Sequence, residues 1–186
     1  MSARVSVRLV DRQADREAGI PDHLPELAIA VKTATTPEDR ERLACEADRL
    51  RCANHPGVVT FVEHQVSQGH AELHTVYAGD SLANWSGTLA QVAGLAAAVA
   101  TTLADLHEMG LIHGRIDPTH VLVGADGRPV LCGLSPAGPD ASPADDIAGV
   151  GQLVEDLVSR TSLRAPRGGA FGWLSRLRGP LAEERS

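Results

Sequence analysis

Lysine is almost missing from this chain. Of its seventeen basic residues sixteen are arginine, and Lys32 is the lone lysine. A bias toward arginine accounts for the sixteen. The exception marks a position suited to a compact ammonium on a flexible stem rather than a planar guanidinium fork, with a chance surface lysine as the plainer reading. Aromatic residues are also scarce, at 3%, and the formal net charge is -7. Together these exclude a basic groove with base-stacking rings, so nucleic acid is not an expected partner. Cysteines are only three, Cys45, Cys52 and Cys132. That odd, sparse set is unlike a secreted disulfide framework and suits reduced thiols in the cytoplasm.

No apolar block follows Met1, so a signal peptide is not expected. Ser81 to Ala104 carries no charge, but Ala, Thr, Gly and Gln dilute it below the hydrophobicity of a membrane span. With 186 residues and an average share of apolar and charged side chains, the chain is expected to be one α+β unit over 1–160 followed by an Arg-rich tail over 161–186.

Residues 4 to 10 alternate as a strand, and Asp11 to Glu26, with Gly19, Pro21 and Pro25, reads as a long turn. Leu27 to Lys32 is the second arm of that hairpin. Thr36, Pro37, Glu38 and Asp39 supply an N-cap, a proline at the first helical position and acids in the first turn, so a helix is expected to about Ala53. Leu43, Ala47 and Leu50 form its apolar stripe, with Glu46 on the flank.

Asn54 to Gly57 stop the helix; Val58 to Val66 and Ala71 to Tyr77 read as two more strands. A connector after Ala78, Gly79 and Asp80 leads to a long helix from Thr88, whose Val92, Leu95, Val99, Leu103 and Leu106 recur at spacings of three and four. Gly110 ends it. Val121 to Val123 and Val130 to Cys132 read as short strands around a two-residue Asp126-Gly127 turn. Ser135 to Pro143 is a loop and Asp145 to Val158 a helix. In the tail, Phe171, Trp173, Leu174 and Leu177 interleave with arginines, which suits a short interfacial or partner-binding helix, a capping turn packed on its own domain, or a loosely ordered end.

This order of elements and motifs resembles the eukaryotic-type protein kinase family, over about Val5 to Leu157. Ile29-Ala30-Val31-Lys32 resembles the strand whose lysine holds nucleotide phosphates, and Glu46 stands where the next helix supplies its ion-pair partner. His55-Pro56-Gly57-Val58-Val59 resembles the loop after that helix, Val76-Tyr77-Ala78 the hinge, and Leu106-His107 to Leu111-Ile112-His113 the approach to the catalytic loop. The resemblance implies a small sheet lobe with one helix over about 4–77 and a shortened, mainly helical lobe over about 80–160. It implies that Lys32, Glu46, Ala30, Val76, Ala78 and Leu122 would line a nucleotide site, Ala30 and Leu122 flanking the purine. Asp146, in Asp146-Ile147-Ala148-Gly149-Val150-Gly151, would brace the loop at His113.

The departures concern chemistry. The family's His-Arg-Asp, Leu-Lys-Pro-x-Asn loop is replaced by His113-Gly114-Arg115-Ile116-Asp117-Pro118-Thr119-His120. Arg115 stands at the base position, where a permanently protonated guanidinium cannot accept a proton. His120 replaces the metal-binding asparagine, and Gly133-Leu134-Ser135 replaces Asp-Phe-Gly, removing the magnesium carboxylate. If the register slips by one, Cys132 takes that place and still offers no oxygen ligand. No glycine-rich phosphate loop precedes Lys32, the sequence beginning at what resembles the family's second strand.

Asp117 as a displaced base is expected to point elsewhere. His113-Gly114 also resembles the His-Gly-Asp of small-molecule phosphotransferases, but the same replacements disable that reading. His113, His120 and Cys132 are zinc-compatible types at an unfamiliar spacing, and buried structural roles suit them better. Cys45 and Cys52 share a helix face, lie too far apart to bridge and are expected to be core thiols.

The expectation is a catalytically inactive kinase-like domain, a regulatory or scaffolding module in signalling, with another signalling protein or kinase as partner. It requires no cofactor and no metal, and binds ATP weakly without magnesium if at all. The rivals are a divergent phosphotransferase acting through His120 or Asp117, and a fragment of a longer gene product.

Overall fold

In a computed structural model, the structure describes residues 4–9, 28–134, 138 and 141–161. The long turn at 11–26, most of the loop at 135–143 and nearly all of the Arg-rich tail lie outside the described residues. The described residues are α+β, with small antiparallel sheets and three helices.

β1 (Arg4–Leu9) and β2 (Ala28–Ala34) pair antiparallel, with Val5 opposite Lys32 and Val7 opposite Ala30. α1 (Pro37–Cys52) begins where the sequence places it: the Thr36 hydroxyl accepts the Asp39 amide and Pro37 needs no donor in the first turn. Leu43, Ala47 and Leu50 are buried against the sheet. β3 (Phe61–Ser67) and β4 (His70–Val76) complete a four-stranded sheet in the order β1-β2-β4-β3. Because facing residues share a side, Lys32 and Leu73, and Ala34 and Ala71, lie on the face that receives α1.

The third strand starts at Phe61, not Val58. Val58 instead forms a parallel bridge to Leu131, and the Val59 amide donates to the Leu131 carbonyl at 2.9 Å. This short segment therefore joins the first sheet to the second. The expected connector holds β5 (Asp80–Ser81) and a 3₁₀ turn, Leu82–Asn84. β6 (Val121–Val123) and β7 (Pro129–Leu131) pair Val123 with Pro129, so their link is the five-residue stretch 124–128, not a two-residue turn. Asp126 is used inside that loop, where Oδ1 accepts the Arg128 amide and Oδ2 its guanidinium.

α2 (Leu89–Glu108) has a full capping box, Thr88 and Gln91 exchanging bonds. Gly110 follows its end at φ +74, the left-handed conformation that glycine adopts freely. By length and composition, with a mean hydropathy of 1.5, this helix could cross a membrane. Its stripe Val92, Leu95, Val99, Thr102, Leu103 and Leu106 is nevertheless buried in the core. α3 (Pro143–Ser159) starts two residues earlier than expected, packs on α2 and buries Leu153 and Leu157. The core is continuous from Ala34 and Leu43 through Val58 and Leu131 to Leu157, so the two sheets and three helices share one apolar interior.

Of the three thiols, Cys45 and Cys132 are half-buried, but Cys52 is exposed. It occupies the last helical position of α1, so a shared helix face with Cys45 does not make it a core thiol.

Candidate functional site

Two buried carboxylates organise the region between the sheets. On β2 and α1, Lys32 Nζ donates to Glu46 Oε2 at 2.6 Å, with the Glu46 side chain 5% exposed. Three residues further along α1, the Arg49 guanidinium donates to the Ile112 carbonyl. α1 is thus tied both to its own sheet and to the segment that precedes His113, and the spacing of three puts both ties on one helix face.

The second carboxylate is Asp146, in the first turn of α3 and wholly buried. Its Oδ2 accepts the His113 amide at 2.8 Å and His107 Nε2 at 2.8 Å, while Oδ1 accepts the Gly114 amide at 2.7 Å. Two backbone donors on an otherwise irregular loop and one imidazole from α2 are satisfied by a single side chain.

His113 itself is 1% exposed. Its Nε2 donates to the Cys132 carbonyl at 3.1 Å, and Nδ1 is buried with no hydrogen-bond partner. Burial pushes its pKa down to about 4; the Asp146 carboxylate opposes this only in part. The ring is therefore neutral and structural. The unfolded chain binds the proton at the ordinary histidine value, whereas the folded chain resists it until about pH 4. Stability contributed by this neutral ring is complete above pH 6.5 and is lost as pH falls toward 4, with a slope approaching 1.4 kcal/mol per pH unit, about that of one proton. Chemical denaturation at a series of pH values should show the decline, and His113→Gln should flatten that part of it. An unchanged pH profile in His113→Gln would exclude the buried neutral ring as its source.

Arg115, at the base position of the resemblance, is 69% exposed, its Nε on Asp117 Oδ2 at 3.2 Å. Asp117 is also held from the other side: Oδ1 accepts the Thr119 amide at 2.8 Å, the Thr119 hydroxyl at 2.5 Å and His120 Nδ1 at 2.9 Å. Partial burial raises the Asp117 pKa, but the hydrogen bonds from Thr119 and His120 outweigh it and hold the carboxyl well below the usual range. A carboxylate this well satisfied is a poor proton acceptor.

His120 is turned inward, with its side chain 18% exposed, and its ring crosses that of His113 edge-on at 6.4 Å between centroids. It lies over Gly133. A Cβ added to Gly133 would overlap the His120 ring, lying 3.0 Å from Nε2 and closer still to Cδ2, and Gly133 has φ +75. The imidazole therefore fills the volume in which a side chain at position 133 would begin, and the backbone there has a conformation that side chains resist. His120 and Gly133 lie thirteen residues apart and fit each other in space.

Between them sits Cys132, whose amide donates to the His120 carbonyl at 3.0 Å. Burial, reinforced by the Glu46 charge, pushes its thiol up to about 12, despite the opposing Lys32 ammonium. It is a neutral thiol at physiological pH, neither nucleophile nor ready metal ligand. Among the described residues no three His, Cys, Asp or Glu side chains are arranged to hold a metal ion.

The remaining expected nucleotide contacts are dispersed along the two sheets. Ala30 is half-buried on β2, sharing a face with Lys32, and Leu122 is half-buried on β6 opposite Val130. Val76 faces Ile29, on the opposite side of the sheet from Ala30. The Val76 and Tyr77 amides already donate to the Thr60 and Ala28 carbonyls at 2.9 and 2.8 Å. Ala78 packs against the 123–124 backbone, where a Cβ on Gly124 would come within 2.9 Å of the Ala78 carbonyl. Two of the three amides at residues 76–78 are therefore already committed to the fold.

Sequence reasoning missed the Arg49 to Ile112 tie, His107 as a partner of Asp146, and the bond of His55 Nε2 to Asp105 Oδ2 at 2.9 Å. The first left one trace, an arginine three residues after Glu46; the other two join separate segments and leave none. Comparison with models of known protein families and with curated proteins returns no match to this chain.

Proposed function

We propose that this chain is a protein kinase-like domain that does not transfer phosphate, a cytoplasmic pseudokinase acting as a regulatory or scaffolding module whose partner is another signalling protein or kinase. The observation that carries the reading is the His120 ring over Gly133. Both positions that would supply oxygen ligands to magnesium in the family it resembles are altered, and the volume above position 133 is occupied. Base catalysis contributes roughly 10²- to 10⁴-fold, and phosphoryl transfer otherwise relies on positioning and neutralisation of charge by metal and cations. With Arg115 at the base position no carboxylate there takes the proton, and with no acidic residue at 133 the metal's share of charge neutralisation has no ligand, which leaves Lys32 as the remaining cation.

The supports for an inert framework are the Lys32–Glu46 pair and the Asp146 contacts to residues 113 and 114. They serve packing whether or not a nucleotide binds. A phosphotransferase acting through Asp117 is disfavoured, since that carboxylate is committed to Thr119, His120 and Arg115. No cofactor is required on this reading.

Thermal melting with ATP, with and without magnesium, is the test, because a ligand that binds only the folded chain raises its melting temperature by mass action. The expected result is little or no shift, and the same shift with and without the metal. Labelled ATP with a generic acceptor should show no transfer above a Lys32→Ala control. A magnesium-dependent shift, or transfer abolished by Asp117→Ala, would overturn the proposal.

A further inference from the structure

α3 has two apolar faces, and among the described residues only one is covered. Leu153 and Leu157 are buried against α2. Ile147, Gly151, Val154 and Val158, spaced by four, three and four, form a second stripe beside them. Ile147 is 55% exposed and Val158 41% exposed, whereas Val154 is half-buried at the border of the core. At Gly151 the stripe dips: a Cβ added there meets nothing within 4 Å. Of the acids on α3, Glu155 borders the stripe, Asp145 and Asp156 lie further round with Gln152, and Asp146 is buried; the helix holds no basic residue.

We propose that this stripe is the docking face for the chain's own residues 162–186. Those residues bring apolar side chains at Phe171, Trp173, Leu174 and Leu177, and five arginines against two glutamates. The apolar residues match the stripe in character, the arginines are opposite in sign to Glu155 and to a helix without a basic residue, and an aromatic ring suits the notch at Gly151. The point of departure fits too. Arg160 is fastened to the Ala83 carbonyl at 2.6 Å, and the Thr161 hydroxyl to the Val158 carbonyl at 2.8 Å, so the tail leaves from the Val158 end of the stripe.

From Ile147 to Val158 is about 16 Å at the helical rise. The nine residues 162–170 can span about 30 Å, enough to bring Phe171 back to any point along it.

A second copy of the chain is the poorer occupant. A stripe of four positions offers only roughly a few hundred Å², against the roughly 800 Å² per partner typical of stable association between separate chains. A tethered segment has a high effective concentration and needs no such area. This inference does not depend on the proposed lack of phosphoryl transfer, and its test involves no nucleotide.

The experiment places the photo-cross-linker benzoylphenylalanine at Ile147, at Val158 and, as a control on the polar face of α3, at Gln152 of the full chain. Circular dichroism melting checks that each variant folds, and the two stripe positions substitute for one another if one does not. Irradiation followed by peptide mapping should join Ile147 or Val158 to residues 162–186 at monomer mass. The link should be lost when Phe171→Ser and Trp173→Ser are combined, and absent from Gln152. Cross-links at dimer mass, no tail link from either stripe position, a link that survives the double change, or equal labelling from Gln152 would each overturn the proposal.

Discussion

Asp146→Ala should lower the melting temperature by about 10 °C, the shift expected for a loss of about 3–5 kcal/mol in a domain of this size. The carboxylate is buried and accepts three hydrogen bonds, from the His113 amide, the Gly114 amide and His107 Nε2. Alanine leaves all three donors without their acceptor; an unsatisfied buried donor costs about 1–3 kcal/mol, and water admitted to the cavity would recover part of it. Since small domains are stable by about 5–15 kcal/mol in total, the change removes a large share.

The neighbouring acid is the control. Asp145 is exposed and accepts the Ser142 amide at 2.7 Å at the start of the same helix, so Asp145→Ala should cost clearly less. His107→Ala should fall between the two, because it removes one donor and leaves both backbone bonds in place. If Asp146→Ala melts no lower than Asp145→Ala, the carboxylate is not what holds residues 113 and 114.

The role of Asp146 was legible only through family resemblance; nothing in composition or periodicity points from residue 146 to residue 113. Local signals were read correctly where one segment decides the outcome. Thr36 and Thr88 cap their helices because the cap, the first turn and the apolar period all lie within a few residues. The pairing of Lys32 with Glu46, like the Asp146 contact, was implied only by the resemblance. Readings that depend on how distant segments pack fared worse. Asp126-Gly127 has the residue types of a tight turn, yet the strands pair from Val123 and Pro129, which forces a five-residue loop. Val58 and Val59 are β-branched and strand-like, but their pairing partner is Leu131, on another sheet. Cys52 shares a helix face with Cys45 and still meets solvent, since a helix's last turn can extend past the surface that covers its middle.

The contact between His120 and Gly133 was equally hidden, and it yields the second large effect. Gly133→Ala should destabilise the chain by about 2–6 kcal/mol, combining roughly 1–3 for a side chain in the left-handed region with roughly 1–3 for overpacking. The added methyl has nowhere to go, because the His120 ring it meets is held by Asp117 at 2.9 Å. His120→Ala by itself loses that bond and opens a void. Combined with Gly133→Ala, however, it removes the collision while leaving the φ +75 penalty, so the two changes together should cost less than the sum of their separate costs. The expected coupling is about 1–3 kcal/mol, measured by denaturant unfolding of the four chains in a double-mutant cycle.

The same geometry governs any attempt to restore a metal ligand. Gly133→Asp alone should be at least as damaging as Gly133→Ala and should add no magnesium-dependent shift in the presence of ATP, because His120 bars the carboxylate from the cleft. Independent, additive costs for positions 120 and 133 would show that the ring does not obstruct that site. The altered ligand positions would then be a simple loss of oxygen donors, and the inert reading would have to stand on Arg115 alone.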